Sequence, residues 1–181
     1  MKRASVVCPT GAGRSRERLD MMNSFDISRI AFVQAGWHAD LLNGARDAFF
    51  SRMAELGVPD GRIVSFDVPG AFEIPLFARR LAVTGEYDAI VGAALVVNGG
   101  IYRHEFVAQA VVDGLMRVQL DTDVPVFSMS LTPHHFHSHD EHDTFFREHL
   151  RHKGREVADA CAGMLRALSA ISPDAGRAGT D

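Results

Sequence analysis

Apolar residues along this chain switch between two spacings, and the switch recurs four times. Ile30-Ala31-Phe32-Val33 is a short buried-strand run, and Leu41, Leu42, Ala45, Phe49, Met53 and Leu56 follow it at helical spacing. Gly57 and Pro59 then stop that helix. Residues 63–68 read as a second strand, 72–82 as a helix with Pro75 in its first turn, and 89–97 as a continuous apolar strand. A helix over 102–120, a strand over 124–131 and a helix over 140–168 complete the series. Strands separated by helices pair in parallel, and a parallel sheet is covered on both faces, so its strands read as unbroken apolar runs.

The expected fold class is therefore α/β, a flavodoxin-like three-layer α/β/α sandwich with a four-stranded parallel sheet and right-handed crossovers. One domain over 27–170 accounts for all of these elements. Residues 1–26 carry Lys2, Arg3, Arg14, Arg16 and Arg18 with little apolar periodicity, and read as a disordered extension ending near a second start-like pair, Met21-Met22. Gly11-x-Gly13 lacks both the preceding strand and the Gly-Lys-Ser/Thr ending of a phosphate loop. Residues 171–181, with Pro173, Gly176 and Gly179, read as a flexible tail.

The charge balance narrows the partners. A net charge of −4 over 181 residues speaks against a surface built for nucleic acid, although protonating all nine histidines would turn it into +5. Cys8 and Cys161 stand far apart and in no metal or redox spacing, which fits a reducing compartment. No apolar run approaches the roughly 20 residues that span a bilayer, and no signal-peptide core precedes a cleavage site. These features lead to the expectation of a cytoplasmic protein with neither membrane nor nucleic-acid partners.

In a sheet of this kind ligands bind beyond the carboxyl ends of the strands, so the turns after each strand carry the functional signal. The first turn holds Gln34-Ala35-Gly36-Trp37-His38, with the chain's single tryptophan, suited equally to packing and to a ligand platform. The second holds Val68-Pro69-Gly70-Ala71-Phe72-Glu73-Ile74-Pro75, a turn opening onto helix N–H groups, where Glu73 fits a helix dipole as well as a polyol or amine. The third, Asn98-Gly99-Gly100-Ile101-Tyr102-Arg103-His104-Glu105-Phe106, places two glycines, a guanidinium, an imidazole and a carboxylate at a helix start, a ready anion site. Arg103 can hold phosphate but is a poor proton shuttle, whereas His104 titrates where a shuttle should. The fourth turn and the helix after it hold seven histidines between 134 and 152, dense enough to suggest a metal but without catalytic zinc spacing.

Taken together, Gly36-Trp37-His38, Val68-Pro69-Gly70-Ala71-Phe72-Glu73-Ile74-Pro75, Gly99-Gly100 through Glu105-Phe106-Val107, and His152-Lys153-Gly154 resemble the lumazine synthases of riboflavin biosynthesis. The likeness spans about residues 27–168, and the third and fourth turns resemble the divergent second type found in rhizobia and brucellae. It implies a transferase that condenses 5-amino-6-(D-ribitylamino)uracil with 3,4-dihydroxy-2-butanone 4-phosphate to 6,7-dimethyl-8-ribityllumazine, phosphate and water, with no cofactor and no metal. It further implies a homo-oligomer built from pentamers, in this type a decamer, with sites between subunits.

Carried over by position, the resemblance makes Trp37 a stacking partner for the pyrimidine. Ala71, Phe72 and Glu73 would bind the ribityl chain and ring, and Leu95, Val96 and Val97 would line the uracil pocket. Gly100 and Ile101 would hold the phosphate, and Lys153 would stand near it. Three departures accompany this. The family's proton-donating histidine aligns with Arg103, and His104 follows one position later beside the matching acid Glu105. The family's phosphate-gripping arginine aligns with Phe145, leaving Arg147 or the loop histidines as substitutes. Ser128 replaces an aromatic that the family usually contributes from a neighbouring subunit. A slow synthase is the expectation, with two alternatives: a lumazine or flavin carrier on the same fold, and a metal-dependent hydrolase using the 134–142 histidines. Those histidines also predict a change in assembly or phosphate affinity between roughly pH 7 and 5.

Overall fold

The structure is a computed structural model and describes residues 29–59, 61–101, 103–134 and 140–171, without the side chains of 140–143. The predicted N-terminal extension, the predicted C-terminal tail beyond Ile171 and most of the histidine-rich turn lie outside the described residues, and Ile171 itself closes the last helix. The elements are β1 (Ile30–Ala35), α1 (Ala39–Glu55), β2 (Ile63–Val68), a 3₁₀ turn (Ala71–Glu73), α2 (Ile74–Ala82), β3 (Ala89–Leu95), α3 (His104–Thr122), β4 (Val126–Leu131) and α4 (Asp140–Ile171). The four strands form one parallel sheet in the order β2-β1-β3-β4, in a register that pairs Ile30 with Ile63 and Ala89, and Ile90 with Val126. This is the expected three-layer α/β/α arrangement: α1 packs on α4, and α2 packs on α3.

Burial explains the apolar patterns. The central strands β1 and β3 are buried at every position, whereas the outer strands β2 and β4 are only partly so. Phe32 of β1 meets Phe49 of α1 with ring centroids 5.3 Å apart. Gln34 is the exception in β1; its amide nitrogen donates to Asn43 Oδ1 at 3.0 Å. Two glycines set how closely helices approach. A Cβ on Gly92 would lie 2.9 Å from Ile74 Cγ2 and 3.1 Å from Leu115 Cδ1, and one on Gly154 would fall on the Ala45 carbonyl.

Element ends differ from the sequence reading for physical reasons. The helix expected over 72–82 becomes a 3₁₀ turn and then α2, with Pro75 within its first two positions. Pro75 has no N–H for an α-helical bond to an earlier turn, so the regular helix can start only beside it. β4 starts at Val126 because Pro125 cannot donate, although its carbonyl still accepts from Ile90 N–H at 3.0 Å. β3 ends at Leu95, where its pairing with Leu131 ends. α3 starts at His104 and α4 runs to Ile171.

The strand order fixes where a ligand can enter. From β1 the chain steps outward to β2, then returns to the other side of β1 for β3 and β4. The crossovers therefore diverge between β1 and β3, and their carboxyl ends open a crevice there.

Candidate active site

That crevice is a cavity of about 670 Å³ beyond Ala35 of β1 and Leu95 of β3. Three strand-end segments wall it. From the turn after β1 come Trp37 and His38; from the turn after β2 come Pro69, Gly70, Ala71, Phe72 and Glu73. From the end of β3 and the start of α3 come Leu95, Val96, Val97, Gly99, Ile101, Arg103, His104 and Val107. Every residue assigned to catalysis from the sequence, and most of those assigned to binding, thus share one concavity. Trp37 and Phe72 are exposed, 75% and 66%, so neither ring is consumed by the core.

The third segment carries the most chemistry. Gly100 has φ of +80°, which favours glycine, and its N–H donates to Asn98 Oδ1 at 2.8 Å, folding the loop into α3. Arg103 is the N-terminal boundary residue of α3, and its guanidinium lies 5.7 Å from the centre of the Phe106 ring. His104 is largely buried, with Nδ1 3.3 Å from Glu105 Oε2. Arg103 and His104 therefore both line the cavity from successive positions, and the Glu105 carboxylate lies against the imidazole. The first N–H groups of α3 and its dipole favour an anion at the same end.

The turn after β2 is shaped by its glycine. A Cβ on Gly70 would stand 3.1 Å from Glu73 Oε2, so the carboxylate folds against this turn at the cavity wall. Apolar groups dominate the remaining lining, which among the described residues leaves Glu73, Arg103, His38 and His104 as the ionisable ones.

Three assigned residues stand outside the cavity lining. Gly100 lies in the loop between two lining residues. Ser128 is exposed on the edge strand β4, paired in register with Gly92. Lys153 is on α4, where Nζ lies 2.6 Å from Glu156 Oε2, and His152 Nε2 lies 2.9 Å from Glu156 Oε1. The hydrogen bond from Lys153, foremost among the causes, holds the Glu156 carboxyl below its usual range. Phe145 is exposed and stacks on His149, with ring centroids 5.7 Å apart. Arg147 binds the Asp40 carboxylate at 2.9 Å on the outer flank. Among the described residues, no three His, Cys, Asp or Glu side chains are placed to hold a metal, and no helix is long and apolar enough to cross a membrane.

Sequence reasoning left out two informative lining residues. His38 follows Trp37 directly, and Val107 stands one helical turn after Arg103, so adjacency and the four-residue spacing were the signals that could have found them.

The chain is similar in sequence to known proteins over most of its length. The family profile described as 6,7-dimethyl-8-ribityllumazine synthase matches residues 28–169. A Rhodococcus erythropolis protein named 6,7-dimethyl-8-ribityllumazine synthase is 58% identical over 151 residues, covering 83% of this chain and 97% of its own. Two proteins named 6,7-dimethyl-8-ribityllumazine synthase 2 are similar over 143 residues, 79% of this chain. The one from Pseudomonas syringae pv. tomato is 57% identical and covered over 84% of its length, and the one from Bradyrhizobium diazoefficiens is 53% identical and covered over 86%. By its match to the family profile over residues 28–169 and its identity to these relatives, the chain belongs to the 6,7-dimethyl-8-ribityllumazine synthase family.

Proposed function

We propose that the chain condenses 5-amino-6-(D-ribitylamino)uracil with 3,4-dihydroxy-2-butanone 4-phosphate to give 6,7-dimethyl-8-ribityllumazine, phosphate and water. The observation that carries this is the single cavity at the β1/β3 crevice, which joins a stacking ring, a polyol-reading turn and a cationic helix start. The pyrimidine stacks on Trp37, with Leu95, Val96 and Val97 beneath it, and the ribityl chain runs along Ala71, Phe72 and Glu73. The phosphate sits at the α3 end, near Gly100, Ile101 and Arg103.

The chemistry follows from that placement. The 5-amino group attacks the ketone and the adduct loses water to an imine, the imine eliminates phosphate, and the ribitylamino nitrogen closes the ring on the carbonyl so formed with loss of a second water. Holding two reactants together supplies most of the acceleration, because it converts an encounter into an intramolecular step. His104, oriented by Glu105, moves the proton. Arg103 stays charged throughout and stabilises the departing phosphate. The two roles that the family resemblance divides between a histidine and a distant arginine are thus adjacent here, and a slow turnover relative to typical family members is expected.

Ser128 and Lys153, outside this chain's cavity, fit a site completed by a neighbouring subunit, in pentamers paired as a decamer. A cytoplasmic setting fits the cysteine usage. The test is to mix the purified protein with both substrates and follow lumazine formation. Product forming faster than the spontaneous reaction supports the synthase; tight lumazine binding with only background turnover would establish the carrier instead. Activity abolished by chelators would point to the metal-dependent hydrolase.

A further inference from the structure

Among the described residues, Gln34 is the only amide or charged side chain buried in the core, at 1% exposure. Residues two apart on a strand share a face, so Gln34 stands beside Phe32, on the face that meets α1. Only half of its amide is served. Nε2 donates to Asn43 Oδ1 of α1 at 3.0 Å, whereas Oε1 is buried with no hydrogen-bond partner among the described residues. An apolar side chain of the same length would fill this space without stranding an acceptor, so the core gains nothing from an amide here.

What the amide supplies is direction. β1 ends at Ala35 and α1 starts at Ala39, and the three residues between them include Trp37, whose exposed ring is fixed by little packing of its own. The same turn has a left-handed backbone at position 38, with φ of 58°, a conformation that persists only where its surroundings hold it. At the strand end of the turn the Gly36 N–H donates to Val68 O at 2.8 Å. The helix end depends on how α1 is seated on β1. Apolar contacts such as that of Phe32 with Phe49 tolerate sliding and rotation, and a hydrogen bond tolerates far less of either. The bond between Gln34 and Asn43 ties β1 to the second turn of α1 and so encloses the whole connection.

From this we infer that Gln34 is a positioning residue for the reaction: its bond to Asn43 fixes the seating of α1 on β1 and thereby holds the Trp37 ring at the cavity wall. Gln34 does not line the cavity, and it acts through the turn and not on the substrate. The assignment rests on the synthase reading above and gives a role to a buried group which that reading leaves unused.

The test removes the donor and the acceptor separately in the full-length protein. Gln34→Met keeps the length of the side chain and loses the amide, so this variant should melt at or above the wild-type temperature. Trp37 is the single tryptophan of the chain, and its fluorescence anisotropy therefore reports the turn alone. In Gln34→Met that anisotropy should fall, and KM for the aminopyrimidine should rise about tenfold while KM for the butanone phosphate stays within twofold. Asn43→Leu removes the acceptor and should repeat both changes. Asn43→Asp keeps an acceptor oxygen and should stay near wild type in both. Wild-type anisotropy and KM values in Gln34→Met, or Asn43→Leu and Asn43→Asp variants that behave alike, would overturn the inference. Wild-type protein that forms no product above background would overturn the synthase reading instead, and the anisotropy, which needs no substrate, would still decide whether the bond holds the turn.

Discussion

Adjacent residues at the start of α3 divide the chemistry according to what their side chains can do. A guanidinium is a fixed cation suited to holding phosphate, and an imidazole is the side chain suited to passing a proton. Replacing His104 with alanine should therefore lower kcat about 100-fold or more, with little change in KM for the phosphorylated substrate. Replacing Arg103 with alanine should raise that KM about 10- to 100-fold, the scale of a lost charge-assisted hydrogen bond. Steady-state kinetics of the two variants check the division; the reverse pattern, or a wild-type turnover equal to that of typical family members, would show that Arg103 is not confined to the phosphate. The sequence made both residues visible, since a guanidinium, an imidazole and a carboxylate in succession at a helix start are an uncommon combination. It could not show that Glu105 lies against His104 while Arg103 lies over Phe106, because those choices depend on rotamers and not on residue order.

At the scale of elements, the periodicities were legible wherever one face of a strand or helix meets the core, and the ends were not. Pro75 and Pro125 moved two of those ends, through bonds they cannot donate. Contacts between distant elements were the least legible. Gly154 belongs to the His152-Lys153-Gly154 segment that suggested the family, yet its observed role is to let α4 cross the backbone of α1 at Ala45. Gly154→Ala should cost about 3 kcal/mol or more, because the obstacle is a carbonyl and not a movable side chain. Gly163→Ala, on the same helix with open space around its Cβ, should be neutral or stabilising by up to about 1 kcal/mol. Thermal melts of the pair separate a packing requirement from helix propensity. The same two helices are tied by Arg52, Glu55, Arg155 and Asp159, with Glu55 2.8 Å from each arginine. Hydrogen bonds from Arg155 and then Arg52 hold the Glu55 carboxyl down at about 2 from an ordinary 4.5. A carboxyl depressed by folding stabilises the fold fully above the ordinary value and loses that contribution as pH falls from about 4.5 toward 2. Glu55→Gln should accordingly be less stable than wild type at pH 7, with the gap between their denaturation midpoints closing over that window. A gap independent of pH would show that the ion pairs do not hold the two helices.

For the molecule as a whole, the question is what covers its exposed apolar surface. Val112, Met116 and Leu120 succeed one another at four-residue spacing along α3 and are 39%, 52% and 71% exposed, while Leu76 of the neighbouring α2 and Val83, directly after its end, are 64% and 59% exposed. The spacing places the three α3 residues on one side of the helix, and a stripe of this kind left in water is the mark of an interaction surface. The proposed pentamer gives it an occupant, another copy of the chain, and the cavity gives the same association a purpose. Ser128 stands exposed on the edge strand beside α3, and Lys153 stands on α4, so neither joins the cavity of its own chain. Assembly and activity should then fail together. Replacing Met116 and Leu120 with glutamate puts two charges into the stripe without touching a cavity-lining residue, and sedimentation velocity should show particles smaller than the wild-type oligomer. Synthase activity should fall in the dissociated fraction although circular dichroism reports a native fold. A variant that dissociates and keeps full activity would confine the complete site to one chain, and a variant that sediments like wild type would place the subunit contact elsewhere.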